Sequence, residues 1–139
     1  MKNMQNNSVK NTEVYLANNQ IYQEQKNFII LKDSLSYHKV FLKDILYCES
    51  DNSYITFFLT DGREILTTEF TMKECEKFLT HRMGFVRIHN RHIINVIKMN
   101  IFFPTSDGGT IQMFNGNILK VARARKKIFV NVFSKLAIN

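Results

Sequence analysis

From Phe28 onward the chain alternates short apolar runs with polar pairs, and Val, Ile, Phe and Tyr are abundant in the runs, as in strands. Strands are predicted at 28–32, 36–42 and 45–50. SYITFFLT (53–60) and REILTT (63–68) flank Asp61-Gly62. A D-G pair between two such runs predicts a hairpin whose turn residues both take φ > 0. The clearest helix follows. Thr71 and Glu74 form a T-x-x-E capping box, with Phe70 and Cys75 at the hydrophobic-staple positions. Met72, Cys75, Phe78 and Leu79 share one face, and Gly84 supplies the stop. These signals predict an amphipathic helix of about ten residues, packed on a sheet and structural in role.

Phe85, Arg87 and His89 alternate with Val86 and Ile88, as in a strand, and HNRHIIN then reads as a turn or a single-turn helix. Residues 97–103 return to a strand-like run, and Pro104 with Asp107-Gly108-Gly109 reads as a loop. TIQMF (110–114) and NILKVA (117–122) flank Asn115-Gly116, which favours a type I′ hairpin turn. A last helix is predicted over 123–136, with Ile128, Phe129, Val132, Phe133 and Leu136 on its apolar face. The order is strands, helix, strands, helix, without βαβ alternation. The fold class is therefore mostly β: small sheets of short antiparallel strands, a short packed helix and a C-terminal helix. Residues 1–27 hold seven Asn and four Gln without a clear apolar period. They read as a flexible polar tail, with a weak helix around Val14–Tyr22, ahead of one domain at 28–139.

The length of 139 residues suits a single core. No apolar run approaches the roughly 20 residues of a membrane span, and the N-terminus lacks a signal core. Two cysteines, Cys48 and Cys75, are too few for a disulfide scaffold and fit a reducing cytoplasm. Charge adds more. Residues 1–84 carry 10 Lys/Arg and 11 Asp/Glu, a net of −1, whereas residues 85–139 carry nine Lys/Arg and one acid, a net of +8. That asymmetry fits a polyanionic partner such as nucleic acid, or else a solvated face.

The sequence holds no phosphate-binding glycine loop, nucleophile elbow or H-E-x-x-H zinc motif, and His89 and His92 have no further ligand at matching spacing. No catalytic residue, metal, cofactor or small-molecule substrate is therefore expected. Two basic segments stand out instead. In Arg87-Ile-His-Asn-Arg-His92, Arg and Asn are the side chains that read guanine and adenine edges bidentately. Arg87 and His89 also admit an inward or edge position that anchors the turn, and this reading is preferred for His89. Asn90 and Arg91, nearer the tip, read as contacts. In Lys120-Val-Ala-Arg-Ala-Arg-Lys-Lys127, five of eight residues are cationic at a strand-to-helix junction. A helix start prefers acids, so stacked cations there violate a local rule, as functional sites do. Lys127 reads as an ordinary solvated lysine. Glu49-Ser-Asp-Asn-Ser-Tyr54 is by itself a plain polar turn.

With these segments in view, residues 28–136 resemble the LytTR-type DNA-binding domain of bacterial response regulators. Ile45-Leu-Tyr-Cys-Glu-Ser-Asp-Asn-Ser-Tyr54 is similar to the family's I-x-Y-I-E…N-Y strand and loop, and the Asp61-Gly62 hairpin follows in place. Phe85-Val-Arg-Ile-His-Asn-Arg-His-Ile-Ile-Asn95 is similar to F-x-R-x-H-R-S-Y-L-V-N. Asn115-Gly116 with Leu119-Lys-Val-Ala-Arg-Ala-Arg125 resembles N-G-x-x-L-P-V-S-R. The resemblance implies loops inserted into successive major grooves, paired direct-repeat sites and bent DNA. It maps contacts to the loop at Asn52 and Ser53, the turn at Asn90 and the junction at Arg123. With the basic segments, the candidate DNA-binding residues are Asn52, Ser53, Tyr54, Arg87, His89, Asn90, Arg91, Lys120, Arg123, Arg125 and Lys126. Lys120 and Ala122 replace the usual Pro and Ser, and Arg91-His92 replaces the usual Ser-Tyr. The 27 preceding residues are too few for the phosphate-receiver domain most members carry, so a stand-alone regulator is expected. Its partner would be double-stranded DNA, with a homodimer on DNA or a protein partner as candidates and no membrane. The alternative is a non-enzymatic adaptor that docks a partner or an anionic surface through the same basic face. RNA binding would call on aromatics exposed on a sheet, whereas most aromatics here fall at positions that read as buried.

Overall fold

A computed structural model describes residues 27–139. The predicted tail and the weak helix at 14–22 lie, Asn27 apart, outside the described residues. Three antiparallel sheets build the fold. The first is the hairpin of β1 (Phe28–Lys32) and β2 (Tyr37–Phe41). The second has five strands in the order β5-β4-β3-β7-β6: β3 (Ile45–Asp51), β4 (Tyr54–Leu59), β5 (Glu64–Thr67), β6 (Phe85–His89) and β7 (His92–Asn95). The third has the order β10-β9-β8: β8 (Met99–Thr105), β9 (Gly108–Met113) and β10 (Ile118–Ala122). Helix α1 (Met72–Phe78) joins β5 to β6, and α2 (Lys126–Leu136) closes the chain.

The five-stranded sheet is covered on both faces. Successive side chains of a strand point to opposite sides, so each central strand feeds two cores. Cys48, Ile93 and Phe85 enter one core with Leu31 and Val40 of the first hairpin and Cys75 of α1. Tyr47, Ile94, Val86 and Ile88 enter the other with Ile111, Val121 and Phe129 of the third sheet and α2. This explains why HNRHIIN misleads as a sequence. Residues 92–95 are a strand, not part of a turn or helix, and Ile93 and Ile94 are both fully buried. A strand buried on both faces shows no polar alternation.

Helix α1 is seven residues long, shorter than the pattern suggested, and both halves of its capping box form: Glu74 N–H donates to Thr71 Oγ1, and Thr71 N–H donates to Glu74 Oε1. Gly84 ends a separate 3-10 turn at His81–Met83 rather than α1. Phe70 packs on Phe78, with ring centroids 5.3 Å apart.

Both glycine hairpins are present, but their turns are not the expected kind. Gly62 and Gly116 take φ of 92° and 93°, while Asp61 and Asn115 do not take positive φ. Leu59 and Met113 N–H donate to the Arg63 and Asn117 carbonyls, leaving three-residue loops that end in a left-handed glycine. The Asp61 and Asn115 side chains instead accept from the N–H two residues on, at 3.0 and 3.1 Å. The loop expected at 104–109 shrinks to a turn at Ser106-Asp107. Pro104 lies in β8, an edge strand, where its missing N–H is tolerated. Gly108 and Gly109 belong to β9, and a Cβ on either would collide with the carbonyl of Val121 or Phe103.

Candidate nucleic-acid interface

The first candidate segment is the two-residue turn between β3 and β4. Asp51 pairs with Tyr54 across it, and Asn52 sits at φ 54°, the one non-glycine left-handed residue among those described. Asparagine tolerates that conformation better than most side chains. Asn52 and Ser53 are exposed; Tyr54 is half-buried, and its hydroxyl donates to Asp51 Oδ2 at 3.2 Å.

The second segment is the two-residue turn Asn90-Arg91 between β6 and β7, both residues exposed. It lies beside the first because β3 pairs with β7, Glu49 facing His92. Ser50 N–H donates to the Arg91 carbonyl and Arg91 Nε donates to the Ser50 carbonyl, both at 2.9 Å. His92 Nε2 and Glu49 Oε1 are 2.8 Å apart. Arg91 is thereby fixed through its Nε and its carbonyl while the residue stays exposed. Arg87 is half-buried: its guanidinium donates to Glu76 Oε1 at 2.9 Å and to the Asn90 carbonyl at 2.7 Å. His89 is also half-buried, and its Nδ1 accepts from Arg91 N–H at 3.2 Å.

The third segment follows β10. Arg123–Arg125 form a 3-10 turn rather than the start of the α-helix, and α2 begins at Lys126. Neither start carries a side-chain cap or an acid in its first turn, and Lys126 N–H donates to the Arg123 carbonyl, so the 3-10 turn runs directly into α2 among cations. Lys120 and Arg123 are exposed; Arg125 and Lys126 are half-buried, and Lys126 Nζ donates to the Thr105 carbonyl at 2.8 Å. Strand β6 touches β10 and the 123–125 turn. Burial pushes the His89 imidazole below its ordinary value, and the charges of His92, Lys120, Arg91 and Arg125 push it the same way. The second and third segments therefore share one electropositive neighbourhood.

Three residues the sequence reading did not place at the site, Glu49, Ser50 and Glu76, hold this arrangement together with His92, which it weighed only as a metal ligand and as a departure from the family pattern. The Glu49–His92 pair becomes legible only once β3 and β7 are in register, and Glu76 lies 11 positions from Arg87 on a different element. Most aromatics are buried or half-buried, although Tyr37, Phe103, Phe114 and Phe133 are exposed. Among the described residues no cluster of His, Cys, Asp or Glu is placed to hold a metal ion, and no helix is long and apolar enough to cross a membrane.

Comparison with curated proteins gives no match. A LytTr DNA-binding domain from Bacillus cereus has a similar fold, with a TM-score of 0.68 at 20% identity over 76% of this chain and 95% of that one. The family model of the LytTr DNA-binding domain matches residues 35–134, which take in strands β2 to β10 and every candidate contact. A mostly β chain with that match, carrying its cations on the turns beside β6, belongs to the LytTR DNA-binding family.

Proposed function

We propose that this protein is a sequence-specific regulator of transcription that grips double-stranded DNA in successive major grooves, at paired direct repeats in a bacterial cytoplasm. The turn at Asn52-Ser53 and the turn at Asn90-Arg91 present amide and guanidinium groups able to pair with base edges. Arg123 and Arg125, with Lys120 and Lys126, meet phosphates and the adjoining bases at the uncapped helix start. His89, Arg87 and Tyr54 support these contacts from half-buried positions.

The observation that carries this reading is the stapling of the two turns. Ser50 and Arg91 exchange two hydrogen bonds, which tie two loops from different hairpins together beside the cations of the third segment and support their acting as one reading head. Rigid placement of base-reading groups is what selectivity requires, whereas general attraction to a polyanion requires only charge.

In-vitro selection from random duplexes, followed by binding to the selected and a scrambled duplex at several salt concentrations, tests it. Affinity should fall steeply with salt. Asn90→Ala and Arg123→Ala should each weaken binding to the selected duplex by about 1–3 kcal/mol. If both variants bind the selected and scrambled duplexes as the parent does, the contact assignment is wrong.

A further inference from the structure

Arg87 stands where a DNA contact would be welcome, yet its terminal nitrogens are already engaged. Nη1 donates to Glu76 Oε1 at 2.9 Å and Nη2 to the Asn90 carbonyl at 2.7 Å. Its side chain is 18% exposed, against 41% for Glu76. Glu76 belongs to α1, which is itself immobilised by its capping box and by the buried Cys75 and Leu79 on either side of Glu76. A continuous line of support therefore runs from the core through Glu76 and Arg87 to the backbone of the Asn90-Arg91 turn.

The Ser50–Arg91 bonds hold the Arg91 side of the turn, and the Asn90 side needs support of its own. The ladder between β6 and β7 slips between Arg87 and His89, just before the turn, so strand pairing alone does not fix the tip. The planar fork of arginine can bridge two acceptors at fixed angles, which a lysine ammonium does not reproduce. Glu76 also places a negative charge near a surface read here as meeting a polyanion. Electrostatics alone would disfavour it there.

We infer that Arg87, held by Glu76, is a positioning residue that sets the angle at which Asn90 meets the DNA. The inference rests on the proposed role of Asn90 as a base contact. It predicts that loss of either member of the Glu76–Arg87 pair damages selectivity rather than general affinity.

The test uses the full chain and fluorescence anisotropy with two labelled duplexes, the selected site and a scrambled version of equal length. The variants are Arg87→Lys, Glu76→Gln, Asn90→Ala and the double variant Arg87→Lys/Asn90→Ala, each melted to verify folding. Arg87→Lys should weaken binding to the selected duplex about tenfold, with the scrambled duplex and the salt slope unchanged. Glu76→Gln, at an exposed position that does not threaten the fold, should weaken selected binding too, although removal of an acid by itself would tighten it. In the Asn90→Ala background, Arg87→Lys should add no further loss.

Four results overturn the inference. Weaker binding to both duplexes with a salt slope lowered by about one would make Arg87 a phosphate contact. Losses that add in the double variant would separate Arg87 from Asn90. Glu76→Gln that tightens binding to both duplexes would leave only its charge. An Asn90→Ala variant with full selectivity would remove the reading of Asn90 and this inference with it. Lost selectivity in Asn90→Ala with additive losses would remove the inference alone.

Discussion

The two α-helices among the described residues begin in opposite ways. Helix α1 starts with a complete capping box, an acid in its first turn and Lys77 in its last, each of which favours an isolated helix. Helix α2 starts from Arg125 with no side-chain cap, no acid in the first turn, and Lys126 and Lys127 against the positive end of its dipole. Local sequence therefore stabilises α1, and packing must stabilise α2, chiefly through Phe129 and Val132 in the second core. The difference teaches where the molecule tolerates local disfavour: at the helix start turned toward the proposed DNA, where a phosphate would supply the negative charge that the first turn lacks.

The strongest way to break this comparison is to remove the packing. Phe129→Ala should destabilise the fold by about 3–5 kcal/mol, measured by urea denaturation; a loss below 1 kcal/mol would mean that α2 is held by something else. Thr71→Ala should cost about 1 kcal/mol through the lost cap, seen as a lower Tm, with DNA affinity unchanged below that Tm. Lys127→Glu sharpens the contrast because its two readouts should move apart. Stability should rise by about 0.5 kcal/mol as the dipole is complemented, while affinity for DNA falls; a parallel change in both would undo the argument.

The smallest expected effect concerns protons. The His89 pKa is depressed in the folded chain, so the folded protein binds fewer protons there than the unfolded chain. Its contribution to stability is present above the ordinary histidine value of about 6.5 and is lost as pH falls through and below it. Phosphates placed beside His89 would favour the imidazolium instead, so DNA affinity should rise as pH falls toward 6. Comparing His89→Gln with the parent in pH-dependent melts and binding isolates both terms. An unchanged binding profile in the variant would remove His89 from the interface.

The same contrast marks how far the sequence could be read. Helix α1 was legible in detail because its signals are local: T-x-x-E, the staple and a 3.6-residue stripe all lie within 11 residues of chain. The basic segments were equally plain as composition. Their internal commitments were not, because Arg87 reaches Glu76 on another element, Lys126 reaches Thr105 on β8, and Arg91 reaches Ser50 across the sheet. Strand β7 was missed for a related reason. Its two faces are covered by side chains of the other sheets and of both described helices, so burial erased the alternation that marks a strand. The glycine hairpins were located correctly, but the backbone of Asp61 and Asn115 was not, since their side chains fold back onto the next N–H but one.

The central sheet also bears on how the protein comes apart. Strands β3, β6 and β7 each send side chains into both cores, so neither hydrophobic cluster can dissolve while the other persists without exposing half of a shared wall. Unfolding should therefore be a single cooperative event, with near- and far-ultraviolet dichroism melting together. The amide hydrogens of Tyr47, Cys48, Ile93 and Ile94, at the centre of that wall, should be the slowest in the molecule to exchange with deuterium.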